Sequence, residues 1–107
     1  MKKLLLVTLH HSNVVSPDRI DDALEHKTYS VHEVGNLTPK QIYEFADDLA
    51  RDYYGAENFT EANDSRSYFF HGMACCVSVE NYDYITQTEY EFLKEYNIVE
   101  EISNNVL

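Results

Sequence analysis

The chain has 107 residues, which is enough for one domain and too few for a second hydrophobic core. Hydrophobic residues make up 44% of it, as in an ordinary globular protein, so disorder over most of the sequence is excluded. The formal charge is −11, from 19 Asp and Glu against 8 Lys and Arg, and this excess repels DNA, RNA and anionic membranes while attracting basic protein surfaces.

The amino-terminal segment starts like a secretion signal, with lysines before an apolar run, but polar residues from Thr8 onward interrupt the run. The run is also too short to cross a bilayer. We therefore expect a buried first strand over residues 2–10 and a cytoplasmic protein. Cys75 and Cys76 are adjacent, so their side chains leave a strand on opposite faces and are expected to remain free thiols.

A helix start follows the first strand. Ser16 can cap the helix, Pro17 fits its first turn, and Asp18 complements its dipole. We expect this helix to end near His26 and residues 28–34 to form a second strand. The order strand, helix, strand predicts a right-handed crossover that makes the two strands parallel, if they share one sheet.

Two further helices carry clearer signals. Thr38 is a capping residue, Pro39 takes the first helical position, and Gly55 is suited to the end of the second helix, after an apolar stripe. Thr86 and Glu89 form a capping box, which predicts the start of a third helix.

The other segments of the second half lack helical signals. Gly72 interrupts a stretch of aromatic and apolar residues and is expected to mark a bulge or kink, not a tight hairpin. Residues 56–66 are expected to form a surface loop, residues 68–71 and 73–79 two strands, and residues 81–84 a turn. A short edge strand is expected over residues 98–102, followed by a frayed tail over residues 103–107.

Taken together, the elements predict an α/β or α+β fold. We expect a single domain over residues 1–107, with one mixed sheet of three to five strands and about three helices packed on it. The sequence contains no repeat, low-complexity tract or internal linker that would divide it.

Acidic residues on the second and third predicted helices are the leading candidate site. Several lie four residues apart, a spacing at which like charges oppose helix stability by roughly a few tenths of a kcal/mol per pair. Such a carboxylate array can imitate phosphate spacing and dock on a basic groove; a solvated face kept for solubility is the alternative. The predicted partner-binding residues are Glu44, Asp48, Asp52, Glu91 and Glu95.

We therefore expect an acidic, non-enzymatic binding protein, namely an inhibitor that occupies the basic surface of a nucleic-acid-handling protein. Small acidic inhibitors of this type are frequent among the counter-defence and host-takeover products of phages and other mobile elements. No cofactor is expected, and neither nucleic acid nor membrane is an expected direct partner. Self-association into a homo-oligomer is a further option.

Two alternatives also remain open. One is a small metal-dependent or cysteine-based hydrolase that uses His10, His71 and Cys75, although most of these residues lack zinc-ligand spacing and no glycine-rich turn or helix start adjoins the cysteine. The other is a self-associating scaffold or small-ligand trap, in which the aromatic residues within 53–70 form a subunit-interface pocket.

Overall fold

The computed structural model describes residues 2–13, 24–63, 66–72 and 74–104 of the chain. Its elements, in chain order, are β1 (Lys3–Asn13), β2 (Leu24–Val34), α1 (Pro39–Arg51), a 3-10 turn (Ala56–Asn58), β3 (Phe59–Ala62), β4 (Ser67–Phe70), β5 (Cys75–Ile85), α2 (Gln87–Glu95) and β6 (Ser103–Asn104). The strands form one sheet in the order β3-β4-β5-β1-β2-β6. Strands β1 to β5 are antiparallel to their neighbours, and only the two-residue β6 runs parallel to β2.

The predicted α/β or α+β class, with a mixed sheet and about three helices, is wrong. The described residues form mainly an antiparallel sheet, with α1 and α2 as the two α-helices. The predicted parallel crossover is also wrong, because β1 and β2 are antiparallel and place Lys3 opposite Val34. Most of the predicted first helix lies outside the described residues, but β2 already begins at Leu24, so that helix does not extend to His26. The prediction extended the helix to His26 because Ser16 has the features of a helix cap, and this signal was given more weight than the pattern of the strand that begins at Leu24.

Strand β1 alternates between two faces of the sheet, each covered by a helix. Odd-numbered residues, among them Leu5 and Val7, pack against Phe45 of α1 on what we call the α1 face. Even-numbered residues such as Leu6 pack near Tyr90 of α2 on the opposite α2 face. The larger core lies on the α1 face and also contains Leu9, Val34, Ala46, Ala50, Tyr68, Phe70 and Val77.

Both predicted helix starts are confirmed. The Thr38 hydroxyl accepts a hydrogen bond from the Gln41 backbone N–H at 3.2 Å, and the Gln41 side chain accepts one from the Thr38 N–H at 2.9 Å. Thr86 and Glu89 make the same reciprocal pair, at 3.1 and 3.0 Å. Each capping box satisfies two backbone donors that the first helical turn leaves unpaired, so local sequence alone fixes where these helices begin.

The turn predicted at residues 81–84 is wrong, because β5 continues through it to Ile85. Thr8 of β1 pairs with Asn81, whereas the next residue, Leu9, pairs with Val79, so Glu80 is an extra residue in a β-bulge. The bulge shifts the inward-facing positions of β5 by one residue. The alternation of inward and outward residues is therefore interrupted at Glu80, although the strand itself continues to Ile85.

Gly72 belongs to a hairpin and not to the predicted bulge. β4 and β5 are antiparallel, with Phe70 opposite Cys75, and residues 71–74 connect them. His71 and Gly72 have φ of 54° and 64°, and these left-handed conformations reverse the chain within a short loop.

Three predictions for less regular segments are also corrected. The loop expected at residues 56–66 contains a 3-10 turn and the edge strand β3. Residues 98–102 form no strand; β6 instead lies within the segment predicted to fray, of which residues 105–107 are outside the described chain. Val99 is buried on the α2 face, so packing of its side chain, not strand pairing, holds that segment to the sheet.

Candidate functional site

The five predicted partner-binding acids do not form one surface. Glu44, Asp48 and Asp52 belong to α1 or its carboxyl-terminal cap, on one face of the sheet, whereas Glu91 and Glu95 belong to α2 on the other. All five are exposed. The sheet separates the two groups, so a flat partner surface can engage one of them at a time.

The α1 acids are largely compensated by bases on the same helix. Arg51 Nη2 lies 3.0 Å from Asp48 Oδ1, and Arg51 Nε lies 3.3 Å from Asp52 Oδ1. Lys40 Nζ lies 3.9 Å from Glu44 Oε1. The hydrogen bond to Asp52, and then the charge of Asp48, raise the pKa of Arg51. This surface therefore presents alternating charges and little net field to a partner.

The α2 acids are uncompensated and lie beside exposed aromatic rings. Neither Glu91 nor Glu95 makes an ion pair with any residue that the structure describes. One position along the helix from each acid, Phe92 is 56% exposed and Tyr96 is 63% exposed, with ring centroids 4.7 Å apart. We call these four residues the α2 surface. Tyr and Phe are enriched at protein interfaces, and the rim of an interface is polar, so two adjacent exposed rings beside carboxylates suit a binding surface.

An apolar hollow adjoins the α2 surface. It has a volume of about 410 Å³, and Phe92 forms one of its walls. Leu6 and Ile85 come from the sheet, and Leu93 comes from the helix. The hollow extends the apolar part of the α2 surface toward the sheet, which enlarges the area that a partner side chain can contact.

The residues predicted for hydrolysis are not brought together. Strand alternation places His10 on the α2 face, where its Nε2 lies 3.7 Å from Glu25 Oε1. Cys75 packs against the core on the opposite α1 face, and His71 lies in the β4–β5 hairpin. Within the described ranges, no three His, Cys, Asp or Glu side chains are grouped so as to hold a metal ion. Burial raises the pKa of Cys76, which disfavours its thiolate.

The two cysteines are both free thiols, and the sheet register places them on opposite faces, as the sequence predicts. The aromatic residues expected at a subunit interface pack largely on one another. The Tyr54 and Phe70 ring centroids are 5.2 Å apart, and those of Phe59 and Phe70 are 5.9 Å apart. Phe70 is fully buried, so much of this stretch serves the core.

Two polar clusters that were not predicted from the sequence lie within the fold. In the first, His11 is fully buried, its Nε2 is 2.7 Å from Thr28 Oγ1, and its ring stacks on His26 at 4.6 Å. Burial, then the neighbouring His26 and His10, lower the pKa of His11 to about 4. His11 is therefore neutral near pH 7, and its Nδ1 has no hydrogen-bond partner in the described part of the chain. The first strand was predicted to end at residue 10; continuing its alternation by one residue would have predicted that His11 faces inward.

The second cluster ties α1 to the start of β4. Arg66 donates to both carboxylate oxygens of the buried Asp47, at 3.0 and 2.8 Å, and the Tyr68 hydroxyl donates to the same carboxylate. Burial opposes ionisation of Asp47, but the hydrogen bonds from Arg66 and Tyr68 outweigh it and lower its pKa. Burial and the bond to Asp47 raise the pKa of Tyr68 to about 12. Arg66 also lies 3.8 Å above the Tyr43 ring.

A groove of about 520 Å³ follows the outer edge of β2. Residues 27–30 of β2 line its base, Leu49 and Tyr53 line one side, and residues 97–101 line the other. The two sides come from opposite faces of the sheet, because α1 covers one face and the segment after α2 covers the other. The groove therefore encloses a strand edge between two walls.

Within the described ranges, no helix is both long and apolar enough to span a bilayer. No protein-family model, no curated protein and no solved structure matches this chain. Its function must therefore be inferred from the chemistry of its own surfaces.

Proposed function

We propose that this protein is a non-enzymatic binding protein that uses the α2 surface to occupy a basic region of a protein partner. The observation that carries this proposal is that Glu91 and Glu95, which make no ion pair with any described residue, lie beside the exposed aromatic rings of Phe92 and Tyr96. Carboxylates steer a basic partner toward the surface, and aromatic side chains supply much of the affinity once water is excluded.

The partner class follows from the charge. A molecule with a net charge of −11 is repelled by nucleic acid and attracted to proteins that bind it. We therefore propose an inhibitor of a nucleic-acid-handling protein, of the kind that phages and mobile elements use against host functions. The protein would compete with nucleic acid for the same basic groove.

The first experiment identifies and then tests the partner. Tagged protein captures partners from cell lysate at low salt, and mass spectrometry identifies them. The affinity of the purified partner is then measured for the unchanged protein and for the Glu91→Lys/Glu95→Lys variant. We expect the double reversal to weaken binding by at least about tenfold, which corresponds to ~1.4 kcal/mol, because like charges would then face each other.

The matched control is Glu44→Lys/Asp48→Lys, which reverses the same charges at the same helical spacing on the other face of the sheet. We expect this variant to retain binding. Equal weakening by both variants would indicate a general charge effect and contradict the α2 surface. A partner that binds nucleic acid and this protein simultaneously would contradict the inhibitor mechanism.

A further inference from the structure

Among the described residues, no strand lies beside the outer edge of β2 along most of its length. On that side, the only strand paired with it in the described chain is β6, which meets only His32 and Glu33. Residues 24–31 have no strand on their outer side among the residues that the structure describes. In an edge strand, alternate residues direct their N–H and C=O groups outward, and such groups favour pairing with another extended segment.

This edge differs from the other edge of the sheet. The opposite edge is β3, which has four residues, all of them exposed, and is short enough to be a poor template for pairing. The β2 edge instead lies at the base of the groove, between Leu49 and Tyr53 on one side and residues 97–101 on the other. These walls flank the edge on both faces of the sheet.

The two walls differ in chemistry. Leu49 and Tyr53 present an apolar and aromatic side. On the other wall, Glu100 is exposed and makes no ion pair within the described chain, whereas Glu101 is paired with Lys94. Lys27, which also lines the groove, is held 2.8 Å from Glu80. The uncompensated charge of the groove is therefore negative.

We infer that this groove binds an extended segment of the protein partner, which adds to the sheet as a strand beside β2. Side chains of an added strand point alternately to the two faces. The segment therefore alternates apolar residues, directed toward Leu49 and Tyr53, with Lys or Arg directed toward Glu100. This inference rests on the proposed function in one respect, namely that the extended segment belongs to a basic protein partner. The groove that binds the segment is separate from the α2 surface.

A second copy of this chain fits the groove less well than an isolated segment. Its own β2 edge lies between the same two walls, formed by Leu49 and Tyr53 on one side and residues 97–101 on the other. Bringing two such edges within the ~4.8 Å spacing of paired strands would press the walls of one copy against those of the other. A single extended segment carries no such walls.

The test uses a displayed library of random linear peptides selected on the full chain. We expect the selected peptides to alternate apolar and basic residues. One selected sequence is then synthesised in three forms: unmodified, and N-methylated at alternate backbone nitrogens in either of the two phases. We expect N-methylation in one phase to weaken binding at least about tenfold and in the other phase to have little effect, because only alternate N–H groups of an added strand face β2.

Variants of the protein locate the site. Glu100→Lys is expected to weaken the unmodified peptide about tenfold, and the charge-matched control Glu61→Lys, on the opposite edge of the sheet, is expected to leave binding unchanged. Amide resonances of residues 27–30 should shift on binding. Failure to select any alternating peptide, equal effects of the two N-methylation phases, or shifts confined to other strands would overturn the inference. So would a dimer whose β2 amides are protected without peptide.

The two proposals fail separately. A peptide that binds by strand addition, together with a partner whose affinity is unchanged in Glu91→Lys/Glu95→Lys, would retain the groove and refute the α2 surface. The reverse result, with no groove peptide and a partner sensitive to that double variant, would refute only the groove.

Discussion

At the scale of single residues, the buried carboxylate of Asp47 joins α1 to Arg66 and to Tyr68 of β4. We expect Asp47→Ala to lower the free energy of unfolding by about 2–3 kcal/mol, because the Tyr68 hydroxyl and part of Arg66 would lose their acceptor in a largely buried place. Asp48→Ala, one residue along, removes only an exposed ion pair and should cost less than ~1 kcal/mol. Urea unfolding of both variants measures this difference, and equal losses would contradict it.

His11 makes stability depend on pH. Its pKa in the folded protein is about 4, below the ordinary value of 6.5, so between these values the unfolded chain binds more protons. Its contribution to stability is therefore complete above pH 6.5 and is lost as pH falls toward 4, by up to ~3 kcal/mol. In His11→Phe, urea unfolding over the same pH range should show a shallower decline. If the free energy of unfolding of His11→Phe falls with pH as steeply as that of the unchanged protein, other titrating groups cause the decline.

At the scale of elements, the β4–β5 hairpin depends on a left-handed glycine. Gly72 has φ of 64°, and although a Cβ there would meet no atom within 4 Å, the backbone conformation is strained for any L side chain. We expect Gly72→Ala to lower the free energy of unfolding by about 1 kcal/mol. Gly35, where a Cβ also has free space and φ is not positive, is the control. In thermal unfolding, the midpoint of Gly35→Ala should equal or exceed that of the unchanged protein, whereas the midpoint of Gly72→Ala should be lower. A similar loss of stability in both variants would contradict the conformational explanation.

At the scale of the whole molecule, a charge of −11 in 107 residues repels itself. Raising salt from about 10 mM to about 1 M shortens the Debye length from ~30 Å to ~3 Å, which should raise the midpoint of thermal unfolding. The same change should weaken binding to a basic partner, because it screens attraction as well as repulsion. Calorimetry and binding measured over one salt series should therefore move in opposite directions. A thermal midpoint that does not rise with salt would show that repulsion is already compensated within the fold.

The sequence predicted the features that depend on neighbouring residues. The caps at Thr38 and Thr86 were correct because each is a contact between residues three apart. Strand partners were not predictable in this way, since β1 can pair with β2 in either direction without changing its own pattern. A strong start signal at Ser16 then favoured a helical crossover over the antiparallel pair that forms.

The candidate site shows the same division. The acids predicted from the sequence, among them Glu44 and Glu91, are exposed. Their separation into two groups was not predictable, because only the sheet topology places α1 and α2 on opposite faces. The compensation of Asp48 and Asp52 by Arg51 was not predictable either, because it depends on side-chain placement. The groove beside β2 was beyond reach, since it requires knowing which strand lies at the edge.

The bulge at Glu80 has a consequence for how the gene can change. On either side of it, Val79 and Tyr82 face the same core, although residues three apart in a regular strand point to opposite faces. Deleting this one codon would join the two halves of β5 into an uninterrupted strand with every inward residue still inward, at the loss of one exposed ion pair to Lys27. Deleting Asn81 instead of Glu80 would also place Val79 and Tyr82 two residues apart, whereas a deletion elsewhere in the middle of the strand would turn the residues on one side of it to the wrong face. We therefore expect this 11-residue strand to tolerate the loss of one residue at the two codons of the bulge and not elsewhere in its middle.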